Sequence, residues 1–530
     1  MIETVCLVLL FFLAIIVFVS IADRLNIPAP IFLVPAGIVT AYIPDFPTFR
    51  LDPELVLLVF LPPLVYSGGF FASWSELRKN LRPVFLLSVG LVIFSTLVTA
   101  WFVNWFIPGF GWAAALVLGA IVSPPDDVAI IAIADKIGLP ERIVTVLEGE
   151  GLFNDATALT IFRFALGLVA AKALTPSHLA LTFAATAVFE IGYGLALGYA
   201  IIRIRKRFTN LDIDTTLSLM TPYLAYIPAV HFGGSGVLAT AVAGIYIGRN
   251  GAKFLRFNVR MRGHPVWNLL SFALNDSLFF LTGLQFRPLM TRLTDYSAEA
   301  LALYGTALCL AVIVIRFVWV FPAAYLPRLL SKSIRARDPY PRWQWIFVIS
   351  WAGMRGAISL AAALAIPNFI GDYAPFPQRD FIIFLTFSVI IGTLVLQGAG
   401  LTPLVRMLGI DCHLEGENRK NAAVRDKARR HAAKAALDKI GHWKEQNSYA
   451  PHVLDHLHKR YSHALSRLDG DEPELAEDGM KASLELLSIE RATLLELRRQ
   501  EQLSDNQLRE IEADLDLAEM QIHTTRNAPF

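Results

Sequence analysis

The chain has 530 residues, of which 55% are hydrophobic and 17% charged, with a mean hydropathy of +0.50. That balance excludes an ordinary soluble domain and predicts an all-α polytopic membrane protein whose apolar runs cross a bilayer as helices. A formal charge of +2, with charges sparse over the first four hundred residues and dense in the tail, gives no sign of nucleic-acid binding.

From Met1 the sequence turns apolar at once, with Glu3 and no basic segment, which predicts a retained first helix rather than a cleaved signal. Measured against the ~20 residues a spanning helix needs, the apolar runs predict about 13 transmembrane helices. They start near residues 2, 27, 53, 82, 112, 143, 178, 214, 234, 267, 298, 343 and 380. The eighth and ninth are the least distinct, because HFGGSG at His231 to Gly236 reads equally as a tight turn or as a break within one longer helix. Basic residues fall in alternate loops: Arg24, then Arg78, Lys79 and Arg82, then Lys136 and Arg142, then Arg203 to Arg207, with further clusters after Arg249 and Arg328. This bias predicts insertion in the cytoplasmic (inner) membrane with the N-terminus outside and the tail in the cytoplasm, as an odd helix number requires. The three cysteines, Cys6, Cys309 and Cys412, are scattered, and no disulfide is expected.

The fifth predicted helix is interrupted at SPPDDVAI, Ser123 to Ile130, by two prolines and two aspartates. Seven helices later WAGMRGAISLAAALAIP, Trp351 to Pro367, has Gly353 and Gly356 around Arg355. Six helices, a linker helix and six more would put these breaks at equivalent positions, which predicts two inverted repeats whose broken helices cross near the bilayer centre. Just after the first break, LEGEGLFNDATALTIFRFAL, Leu147 to Leu166, carries Glu148, Glu150, Asp155 and Arg163. Each is expensive at membrane depth unless paired or wetted. Glu148 and Asp155 share a helix face at a spacing of seven, and Arg163 falls near the same stripe. Such charges either fix helix packing or mark an ion pathway, and the costly break next door favours the pathway.

A carboxylate held in a dry site binds a proton or a small cation. Where the two compete and the site opens to each side in turn, exchange follows. Asn154 would add a neutral oxygen beside Asp155, and SPPDD would add the Asp126 side chain and carbonyls freed from the helix. Arg163 and Arg316 read as structural, since a fixed positive charge repels a cation, and Glu190 has no assigned role.

From about residue 411 the sequence changes character, giving a membrane domain at 1–410 and a helical cytoplasmic tail at 411–530. Within the tail, Glu417 to Gln446 reads as a basic amphipathic helix and Asp469 to Gly479 as an acidic loop, while Ser504 with Gln507 forms a capping box. His452, His456 and His463 are taken as surface residues.

The segment GEGLFNDATAL resembles the GESLLND stretch of the cation:proton antiporter-1 family, the NhaP-type and NHE-type sodium/proton exchangers. SPPDDVAI is similar to that family's TDPVAV or SPTDAVAV segment, WAGMRGAISLAAALAIP to its W-G-x-R-G-A-x-S-L motif, and FLPPLVYSGGF at Phe60 to Phe70 to its FLPPLLFE. The resemblance spans nearly the whole membrane region, in order. It implies secondary active, electroneutral exchange of Na+, with K+ or Li+ as alternatives, for H+ by a membrane homodimer that is not an enzyme and needs no cofactor. It implies Asp155 as the ion- and proton-binding carboxylate with Asn154 beside it, Asp126 on the unwound helix, and Glu150 with Arg355 as a buried ion bridge. Gly151 and Pro125 replace family hydroxyl residues, with Ser123 or Thr157 as the candidate substitutes, and Asp127 is an added carboxylate counted here among the ion ligands. Asp276 is a second addition, and Ser67 stands where a glutamate is frequent. Two readings from other classes remain, a gated cation channel and an intramembrane aspartyl protease, although the Gly-x-Gly-Asp signature of the latter is absent.

Overall fold

The computed structural model describes residues 2–410 apart from 45, 47–55, 170–175, 209, 255–256, 294–295 and 371–373. Beyond 410 it describes 427, 430–446, 449–469, 485–490, 492–494, 515, 517 and 519. The chain divides into two compact units, Met1–Asp411 and Cys412–Phe530.

In the first unit every apolar run has become a helix, the form in which a segment satisfies all its own backbone groups without water. In order these are α1 (Ile2–Arg24), α2 (Ala29–Ala41), α3 (Val56–Phe71), α4 (Leu81–Phe106), α5 (Trp112–Val122), α6 (Asp127–Ile137), α7 (Glu141–Val169) and α8 (Pro176–Arg205). There follow α9 (Leu211–His231), α10 (Val237–Phe254), α11 (Phe257–Leu284), α12 (Ala298–Leu330), α13 (Trp343–Trp351), α14 (Ala357–Leu364) and α15 (Arg379–Met407). Eight of the helices among the described residues are long and apolar enough to cross a membrane. A short ribbon pairing Phe369–Ile370 with Ala374–Pro375 is the exception to all-helical structure among the described residues.

The predicted starts lie within a few residues of these helices with one exception. The run placed near 267 begins at Phe257, because Arg260, Arg262 and His264 lower the hydropathy without opposing helix formation. HFGGSG is a turn between α9 and α10, not a break: Gly233 and Gly236 hold φ of 87° and 78° there, where a side chain would be strained.

Both predicted interruptions are present. Pro124 and Pro125 lack the N–H that would continue α5, and α6 starts afresh with Asp126 accepting the Val128 N–H at 3.1 Å. α13 ends at Trp351, and α14 begins only at Ala357. The two breaks touch: the Asp126 N–H donates to the Met354 carbonyl at 2.7 Å.

Packing sorts the helices into two bundles. One joins α1 to α2, α2 to α11, and α10 to α3, α8 and α9; the other joins α4 to α5, α5 to α7, and α12 to α4, α13 and α15. In the first bundle backbones meet directly. A methyl group at Gly283 would overlap the Val34 carbonyl, and one at Gly248 the Phe70 carbonyl, so small residues set the spacing.

In the second unit residues 430–445 are helical, and a helix α16 runs over Pro451–Asp469. Lys444 and Asp455 pair at 3.0 Å, and the Trp443 and Tyr449 rings lie 5.0 Å apart. His452 and His456 are exposed on α16. The Asp469 to Gly479 loop beyond its first residue and the Ser504–Gln507 box lie outside the described residues.

Candidate functional site

Helix α7 passes the crossing of the two breaks and presents Asp155 to it. Asp155 lines a cavity of about 380 Å³ together with Asp126, Asp127, Glu148, Ser67, Ser271 and Asn275. The cavity reaches Phe71 and Ala72 at the end of α3, on the face that carries the basic loops. On its other side Asp155 meets a space of only about 10 Å³ among Pro124, Phe162 and Ser359. Asp155 thus borders a roomy cavity toward the end of α3 and tight packing on its other side.

The surrounding residues show how the breaks supply oxygens. Asn154 is fully buried; its Nδ2 donates to the Pro125 carbonyl at 2.8 Å, and its Oδ1 has no partner among the described residues. A buried orphan oxygen beside a carboxylate is a ready ligand for a hard cation. Asp126 and Asp127 lie within electrostatic reach of Asp155. Asp126 divides its carboxylate, with Oδ1 capping α6 and Oδ2 packed where a methyl group at Gly356 would overlap it. Asp127 lies against Gly151, where an added methyl would overlap its Cβ, Cγ and Oδ2. The glycine at 151 thus makes room for the extra carboxylate.

Three of the predicted ligands do not join the cavity lining, the fully buried Asn154 among them. The Ser123 hydroxyl donates to the Ala120 carbonyl at 3.1 Å and the Thr157 hydroxyl to the Phe153 carbonyl at 3.1 Å, each turned back on its own helix.

The expected bridge between Glu150 and Arg355 is replaced by another. Glu150 receives Arg316 Nη1 at 2.5 Å and Nη2 at 2.8 Å, with both side chains 1% exposed, and Arg316 also donates to the Ile349 carbonyl. Arg355 instead donates to the Val122 carbonyl at 2.6 Å and the Gly353 carbonyl at 2.9 Å. Its position explains the difference. Arg355 sits in the break itself, where interrupted helices leave carbonyls without partners, whereas Arg316 comes from the unbroken α12 and is free to meet Glu150.

Glu190, unassigned from sequence, accepts from the backbone N–H groups of Ser235, Gly236 and Ala239. A carboxylate on α8 thereby caps the N-terminus of α10. Arg163 donates to the Gly234 carbonyl of the same turn. The signal was present in HFGGSG, a turn with bare backbone groups, but not the partners that reach it. Ser271 and Asn275 were also missed, since small polar residues on an otherwise apolar helix give little warning.

Residues 8–407 match the family model described as sodium/hydrogen exchanger, transmembrane. A Mycobacterium tuberculosis protein named as an uncharacterized Na(+)/H(+) exchanger is 32% identical over 96% of this chain and 94% of its own. A sodium, potassium, lithium and rubidium/H(+) antiporter of Bacillus subtilis is 32% identical over 74% of this chain and 60% of its own. The solved structure of the sodium proton antiporter MjNhaP1 from Methanocaldococcus jannaschii superposes with a TM-score of 0.61 at 19% identity, covering 77% of this chain and 100% of that one.

Proposed function

The chain belongs to the sodium/hydrogen exchanger family, and on that premise we propose that it exchanges Na+ for H+ at Asp155. The observation that carries this reading is the position of Asp155, at the contact of two broken helices and at the floor of a cavity open to one face. A proton or a sodium ion neutralises the carboxylate, but not both at once, so each turnover trades one for the other. Asn154 Oδ1, Asp126 and Asp127 are the proposed further ligands, with Asp127 supplying the oxygen that a serine at 151 would otherwise bring. Glu150 and Arg316 hold the helices and take no part in exchange. One Asn-Asp pair corresponds to electroneutral one-for-one stoichiometry. K+ and Li+ are alternative cargo, supported by the name of the Bacillus subtilis relative.

The reading extends to a homodimer in the cytoplasmic membrane, with the N-terminus outside and the 411–530 tail inside; the one-sided basic loops support that orientation. Asp155→Asn should abolish Na+-driven proton movement in inverted vesicles while leaving the amount of folded protein unchanged. Undiminished exchange in that variant would refute the assignment. Cation flux whose reversal potential ignores the pH gradient would favour a channel instead.

A further inference from the structure

Away from Asp155, three arginines from separate helices converge on one carboxylate at the face that carries the basic loops. Arg82 of α4, Arg142 of α7 and Arg328 of α12 pair with Asp338 at 2.7, 2.8 and 2.6 Å. Partial burial works to raise the Asp338 carboxyl, yet hydrogen bonding from Arg142 and the charges of Arg142, Arg328 and Arg82 hold it below its ordinary value. A single negative charge shared by three guanidinium groups leaves the cluster positive. Arg82 and Arg142 also stay 29% and 38% exposed, and a guanidinium has five N–H donors, more than Asp338 can take up.

The cluster roofs an apolar cavity of about 60 Å³, which the three arginines line together with Leu86, Val146, Val320, Ile346 and Ile349. Positive charge at headgroup level above an apolar slot is the complement of an anionic amphiphile. A free phosphate would use only the arginines and leave the slot unmatched. We propose that this is a binding site for an anionic phospholipid, its phosphate on Arg82 and Arg142 and the first carbons of an acyl chain in the cavity. A lipid seated there ties together the ends of α4, α7 and α12.

The test uses the full-length protein, delipidated in detergent and then given equal phosphatidylglycerol and phosphatidylcholine, with retained lipid counted by native mass spectrometry. Phosphatidylglycerol should be retained in preference. Each juxtamembrane arginine contributes roughly a factor of five, so Arg82→Gln/Arg142→Gln should lower its retention by about tenfold or more. Val146→Phe, which fills the slot and leaves every arginine in place, should lower retention as well, and it carries the test if the double variant does not fold. Equal retention by the wild type and a folded variant of either kind would overturn the proposal. So would displacement of the lipid by excess inorganic phosphate, which would assign the cluster to a free anion.

Discussion

Gly151 and Asp127 have to be read as one unit. The Asp127 carboxylate fills the volume that any side chain at 151 would need. Gly151→Ser alone should therefore behave as overpacking, destabilising by about 1–3 kcal/mol and reducing exchange. Adding Asp127→Ala should restore part of both, and losses in proton flux and thermal stability that simply add in the double variant would break the link. The same interdependence governs the buried charges. Arg316→Ala strands Glu150 without its partner and should destabilise by about 3–5 kcal/mol. Arg355→Ala frees two carbonyls, a loss of about 1–3 kcal/mol each. The two ranges overlap, so the pairing is tested by a double-mutant cycle: in thermal unfolding Glu150→Gln should couple strongly with Arg316→Ala and add independently with Arg355→Ala, and the reverse pattern would count against the Glu150–Arg316 pair. The sequence made the cost of these charges visible, since none of them belongs in an apolar run. Their pairing was not visible, because Arg316 and Arg355 look equally buried and only the position of the break decides which one is free.

Among the elements, helix number, every start but that of α11 and both interruptions could be read from apolar length and from proline and glycine. What length and hydropathy do not carry is how a turn is held. HFGGSG was ambiguous because much of what holds it comes from α8 and α7, through Glu190 and Arg163, which the local sequence does not show. Glu190→Ala should expose the first amides of α10, destabilising by about 2 kcal/mol. Hydrogen exchange at residues 235–239 should quicken while α9 stays protected, and unchanged protection there would contradict the cap. The start of α11 was misplaced for a related reason: a span ends where charge begins, but a helix need not.

For the molecule as a whole, the cavity beside Asp155 predicts a one-sided pattern of access. With the native cysteines replaced, Ser271→Cys and Asn275→Cys should react with a membrane-impermeant thiol reagent added from the basic-loop face. Ser359→Cys should be protected in the same state. Labelling of Ser359→Cys as fast as of Asn275→Cys would mean that both faces are open together, which no exchanger tolerates. The crossing itself was legible because its two signatures lie seven helices apart at matching places. The face on which the site stands open was not, since nothing in composition distinguishes the two halves of a repeat.

The contacts of Gly283 with Val34 and of Gly248 with Phe70 leave no slack between the backbones they join. Those helix pairs therefore present a close-packed, backbone-to-backbone wall. If the exchange proposed at Asp155 requires its site to face each side in turn, the bundle that carries Asp155 and the two interrupted helices is the part expected to shift against that wall.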